Sequence, residues 1–114
     1  MKPVTDPVAT VHVRSVDSNR TLEPGTTMGA TAVFVLGRDE EVIPNWPAGG
    51  LHFSIILTFT EIGASRHEAD AKVDFLDRAG VASYLREQAA FLIMAGPKPI
   101  AEAVITSVLW EPEA

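Results

Sequence analysis

Phe91-Leu92-Ile93-Met94-Ala95-Gly96-Pro97-Lys98-Pro99-Ile100-Ala101-Glu102-Ala103-Val104-Ile105-Thr106-Ser107-Val108-Leu109 is an apolar run, a Gly-Pro break and a second run rich in β-branched residues. A helix cannot pass through Gly96-Pro97, because proline lacks the N–H that the helix needs and its ring clashes with the preceding turn. β-Branched side chains fit a pleated surface, so the stretch predicts a closing β-hairpin with Gly96 in its turn. If the chain ends on a hairpin, the segments before it should supply the remaining strands.

Immediately upstream, Ala69, Ala71, Val73 and Phe75 alternate with Asp70, Lys72 and Asp74. A period of two predicts a strand over Glu68–Leu76, ended by a turn at Asp77-Arg78-Ala79-Gly80. Val81, Tyr84, Leu85 and Gln88 follow helical spacing, which predicts one short helical turn over 81–86. Further back, Leu51, Phe53, Ile55, Leu57 and Phe59 share one face, while His52, Ser54, Ile56, Thr58 and Thr60 share the other. Leu51 to Ile62 is thus the most regular strand in the chain, and its apolar face should anchor the core.

Between Met28 and Leu36 both faces are mostly apolar, as expected for a strand covered on both sides or lying at a barrel seam. Glu23-Pro24-Gly25 ahead of it is a turn, with proline pre-setting φ and glycine free to take a positive φ. The first strand begins at Val8: Ala9, Val11 and Val13 fall on one face, Thr10, His12 and Arg14 on the other. Pro3 and Pro7 predict a flexible lead-in over residues 1–7. Residues 37–50, with two prolines, a charge cluster and terminal glycines, predict a long surface loop that carries Trp46.

Composition excludes several classes. The chain of 114 residues has 46% hydrophobic residues, enough for one self-supporting domain. It has no cysteine, which removes thiolate metal sites and cysteine nucleophiles and leaves no call for an oxidising compartment. Fifteen acidic residues against nine Lys and Arg give a net charge of −6, the wrong sign for a general binder of phosphate backbones. No apolar run approaches the ~20 residues of a membrane-spanning helix. The Met1-Lys2-Pro3 start lacks the apolar core of a secretory signal, and the expectation is a cytoplasmic protein.

Over residues 68–110 the chain resembles the third domain of elongation factor Tu. Phe91, Ile93, Gly96, Lys98, Ile100, Val104, Ile105 and Thr106 fall in order on that family's closing pattern. Ser18-Asn19-Arg20 occupies the place of its Gly-Gly-Arg turn, with the arginine retained. The resemblance implies an all-β fold, a small antiparallel six-stranded Greek-key β-barrel over residues 8–114. It also implies a non-catalytic domain that contacts aminoacyl-tRNA and partner proteins. Arg20 and Gly96 would lie on the tRNA side, with Lys98 beside them. Ala101 and Ala103 stand where the family has glycines.

No Gly-x-x-x-x-Gly-Lys-Ser/Thr loop exists to cradle phosphates, and no Gly-x-Ser-x-Gly turn to present a nucleophile. His52, His67, Glu68 and Asp70 are ligand types without a diagnostic spacing, so no metal and no cofactor is expected. The candidate contact residues are Arg20, Trp46, Gly96 and Lys98. Their alternative reading is plainer: a hairpin glycine, two solvated turn cations and a tryptophan folded over one barrel end. Trp110 reads as core or barrel rim. The expected function is a free-standing interaction module meeting another protein or a second copy of itself. A tRNA-binding or RNA-binding accessory protein is the alternative, and an unrecognised small enzyme or ligand-binding barrel is a third.

Overall fold

Period-two alternation becomes six strands in the computed structural model, which describes residues 2–16, 22–34, 52–63, 67–96 and 98–110. The strands are β1 (Ala9–Ser15), β2 (Thr27–Phe34), β3 (His52–Ile62), β4 (Glu68–Phe75), β5 (Ala90–Ala95) and β6 (Lys98–Val108). All neighbours are antiparallel, and the order β1-β4-β3-β2-β5-β6 closes where β6 pairs with β1. β2, β3 and β4 follow one another around the wall and β1 lies beside β4, which is Greek-key order. Closure leaves no edge open among the six described strands. The Arg20 and Trp46 positions and the 37–50 segment lie outside the described residues.

The inward faces are the predicted ones. Val11, Val13, Ile55, Leu57, Val73, Phe75, Phe91 and Ile93 are buried and form the core with the small residues Ala69, Ala71 and Ala103. Val33 points outward yet is fully buried, clustering with Leu92 and Met94, so the end of β2 is covered on both faces, while Gly29 nearer its start is exposed.

Three register shifts bend the wall, and each has a visible chemical settlement. Thr60 has no partner between the Phe59–Ala71 and Glu61–Asp70 pairs, and its hydroxyl donates to the Asp70 carbonyl at 3.2 Å. Thr106 is likewise unopposed and donates to the Thr10 carbonyl at 3.1 Å. Ile100 is the extra residue between Ala101 and Pro99, and its carbonyl accepts from the Val16 N–H at 3.1 Å. Bulges of this kind increase local twist and help a small sheet to close.

The helical turn starts earlier than the spacing over 81–86 predicts. A short helix α1 (Arg78–Val81) runs into a 3-10 turn at Ala82–Tyr84. The cause is the Asp77 side chain, which accepts from the Gly80 N–H at 2.9 Å and caps the helix inside what the sequence presents as a plain turn. Its effect is to swing Tyr84 under the barrel. There Phe34, Phe53, Phe75, Phe91 and Tyr84 pack against one another, mostly edge-on or tilted, with centroid separations of 5.3 to 6.2 Å, and plug that end.

The segment ahead of β1 is engaged with the wall. The Val4 N–H donates to the Thr58 hydroxyl at 2.8 Å, and Arg78 reaches the Asp6 carbonyl at 2.8 Å. Thr58 thus faces outward, as its position in the alternation requires, but is buried beneath this segment.

Candidate functional site

The end opposite the aromatic plug is where β1 and β5 finish and β2 and β6 begin. Gly96 sits in the β5–β6 turn at φ +59°, a left-handed backbone that glycine adopts without cost. A Cβ there would meet open space, so the conformation and not crowding demands glycine. Lys98 follows on the first residue of β6, opposite Ala95, exposed and in no ion pair among the described residues. Of the four residues singled out in the sequence, Gly96 and Lys98 meet at this hairpin. Arg20 and Trp46 lie outside the described residues.

Beside the hairpin the barrel holds a cavity of about 130 Å³. Its walls are Val13 of β1, Met28 of β2, Phe59 of β3, Ile93 of β5, and Ile100 and Ala101 of β6. Leu22, Glu23 and Thr26 of the β1–β2 connection complete it. Leu22 is buried, whereas Glu23 and Thr26 are exposed, which sets the polar groups at the mouth and the apolar ones inside. The Glu23-Pro24-Gly25 turn is held in place by the Gly25 N–H donating to the Phe59 carbonyl at 2.8 Å, and Gly25 takes the expected positive φ of +79°. The Ile100 bulge matters here, because it turns two successive residues of β6, Ile100 and Ala101, toward the interior, at 5% and 4% exposure. Val13, Met28 and Phe59 carry no sequence signal beyond ordinary core alternation, and nothing in the sequence sets them beside Ile93, Ile100 and Ala101.

Ala101 and Ala103 are interior residues, buried to 4% and 0% exposure. Their size therefore bears on core volume and says nothing about the outer surface.

Around the outside, β1, β4 and β6 carry a ladder of charge. His12 Nδ1 lies 3.2 Å from an Asp70 carboxylate oxygen and its Nε2 3.9 Å from Glu68, while Arg14 donates to Glu102 at 2.7 Å. All of these side chains are about half exposed, and such pairs contribute ~0–1 kcal/mol each. His52 starts β3 at the plugged end and His67 lies just ahead of β4 at the other, so the barrel separates the two histidines named among the ligand types. Among the described residues no three His, Asp or Glu side chains are grouped to hold a metal ion. Trp110 packs on the core at the barrel rim, its ring under Arg78, in keeping with the rim position read from the sequence.

In comparisons with known protein families, curated proteins and solved structures, none matches this chain. Fold and site therefore define a class only: a closed, all-β, six-stranded barrel with one plugged end and one end that holds an apolar cavity. Among the described residues no helix is long and apolar enough to cross a membrane.

Proposed function

We propose that the protein is a non-catalytic interaction barrel, similar to the third domain of elongation factor Tu, that works in the cytoplasm through protein–protein contacts or self-association. The observation that supports this reading is the difference between the ends. One is sealed by aromatic rings, whereas the other presents two exposed turns, at Gly25 and Gly96, around an apolar depression. Exposed turns on a rigid scaffold can vary without cost to the core, and an apolar centre with a polar rim is the usual anatomy of a contact surface. The contact end carries Glu23 and Lys98, so it meets a partner through charge at the rim and apolar surface at its centre.

Sedimentation equilibrium over a hundredfold concentration range separates self-association from contact with a different protein. Affinity capture then locates the surface. The doubly reversed rim variant Glu23→Lys/Lys98→Glu should lose the partner held by the unaltered chain, and Arg14→Ala on the outer wall should keep it. The opposite pattern would remove the contact from this end.

A further inference from the structure

The geometry points to the cavity at the open end as a binding site for a small apolar guest the size of one six-membered ring, neutral or cationic. This goes beyond the interaction reading, since the isolated chain would bind such a guest whether or not the barrel also meets a protein.

Protein interiors rarely keep voids larger than a water molecule. This one measures about 130 Å³. An apolar cavity of about 150 Å³ lined by aliphatic and aromatic side chains stays dry and takes up benzene, because water inside it finds none of the two to four hydrogen-bond partners it needs. The pocket here opens to solvent past Glu23 and Thr26, but behind that mouth its walls give water as little to bond to. Val13, Phe59, Ile93, Ile100 and Ala101 are all at most 5% exposed and offer no polar side-chain atom. The polar side chains that line the site are Glu23 and Thr26, both exposed and hence at the mouth.

The void is also a consequence of how the barrel is built. At the far end five rings fill the bore, whereas here the interior position of β6 is the single methyl of Ala101, next to a bulge that sets Ile100 beside it. A larger residue at position 101 would occupy the space. The Glu23 carboxylate at the mouth sets the charge preference: it attracts an ammonium on the guest and repels a carboxylate, more strongly than in bulk water because one side of the mouth is low-dielectric wall.

The test uses the full chain, isotope-labelled at its methyl groups, titrated with benzyl alcohol, benzylamine and benzoate. Saturable shifts of the Val13, Ile93 and Ile100 methyls are expected with the first two, and binding of benzoate weaker than that of benzylamine by about tenfold or more. Glu23→Gln should erase the preference for amine over acid and leave benzyl alcohol binding unchanged. Ala101→Leu should abolish binding of all three in a protein that still unfolds cooperatively. If that variant fails to fold, Ala101→Val must weaken binding by about fivefold or more. The proposal is overturned if those methyls show no saturable shift, if the shifts fall instead on the exposed Val16, Leu76 and Leu109, or if a folded variant at position 101 binds as the unaltered chain does.

Discussion

The guanidinium carbon of Arg78 lies 5.6 Å from the centroid of the Trp110 ring. The same side chain donates from Nε to Asp74 at 3.1 Å and from Nη2 to the Asp6 carbonyl at 2.8 Å. One residue on the first turn of α1 thus joins the segment before β1, the end of β4 and the segment that follows β6. The planar fork makes this possible, because it offers its face to the ring and its edge to the oxygens at once.

Arg78→Ala should therefore cost about 1–3 kcal/mol in chemical denaturation, the sum of a cation–π contact and charge-assisted hydrogen bonds. Arg78→Lys should recover less than half of that, since an ammonium cannot make both contacts. Hydrogen bonding to Asp74, against a smaller opposing effect of burial, raises the Arg78 pKa above its ordinary value. A raised pKa places its contribution fully below the unfolded value and loses it only as pH climbs through the folded one. The loss in Arg78→Ala should accordingly be the same at pH 7 and pH 9, and a strong dependence between them would show that another group is responsible.

Thr58 and His52 lie on the same outward face of β3 and should differ in cost. Thr58→Val keeps the shape but leaves the Val4 N–H, donated at 2.8 Å, and the Thr27 hydroxyl at 2.9 Å without their partner. A loss of about 1–3 kcal/mol is expected, against about 0.5 kcal/mol or less for the exposed His52→Ala. Equal losses in thermal unfolding would mean that the segment before β1 does not hold Thr58 in solution.

Of the three positive-φ positions among the described residues, Gly25, Gln88 and Gly96, the last two should respond to substitution with opposite signs. Gly96→Ala at φ +59° should destabilise by about 1 kcal/mol, while Gln88→Gly at φ +72° should be neutral or stabilising by up to about 1 kcal/mol. Gln88 donates its N–H to the Ile105 carbonyl at 2.8 Å, a bond that glycine retains. A clear destabilisation by Gln88→Gly would show that its side chain contributes more than its backbone strain costs.

Bulk tRNA should produce no electrophoretic shift at 0.15 M salt. Glu23, Glu61 and Glu68 lie at the same end of the barrel as Lys98, and the whole chain carries a net charge of −6. A strand of phosphates laid across this end meets these carboxylates as well as Lys98, and one cation releases too few counterions to offset them. A shift that disappears with Lys98→Glu would restore the RNA-binding alternative.

Alternation is a local property, and it was enough to place the strands. Leu51 to Ile62, Glu68 to Leu76 and the Phe91–Leu109 hairpin each differ from the observed element by no more than a residue, because a buried face forces period two on whichever residues line it. The doubled apolar pattern of β2 was legible for the same reason, and Val33 pays it out as a buried outward residue. The start of α1 was missed, since whether Asp77 caps a helix or closes a turn depends on one side-chain hydrogen bond within four residues. Burial of Thr58 was equally out of reach, because its cover comes from Val4, 54 positions away.

The candidate site belongs wholly to the tertiary structure. Val13, Glu23, Phe59, Ile93 and Ala101 become neighbours only when the barrel closes, and each has an ordinary local role in its own segment. Sequence determined which faces point inward, since that is set by the pleat. Only the tertiary structure decided that the rings of Phe34, Phe53, Phe75, Phe91 and Tyr84 gather at one end while Val13 and Ala101 leave the other unfilled. The reason is that interior volume depends on which layer of the barrel each inward side chain reaches, and that is fixed by register and bulges between strands far apart in the chain.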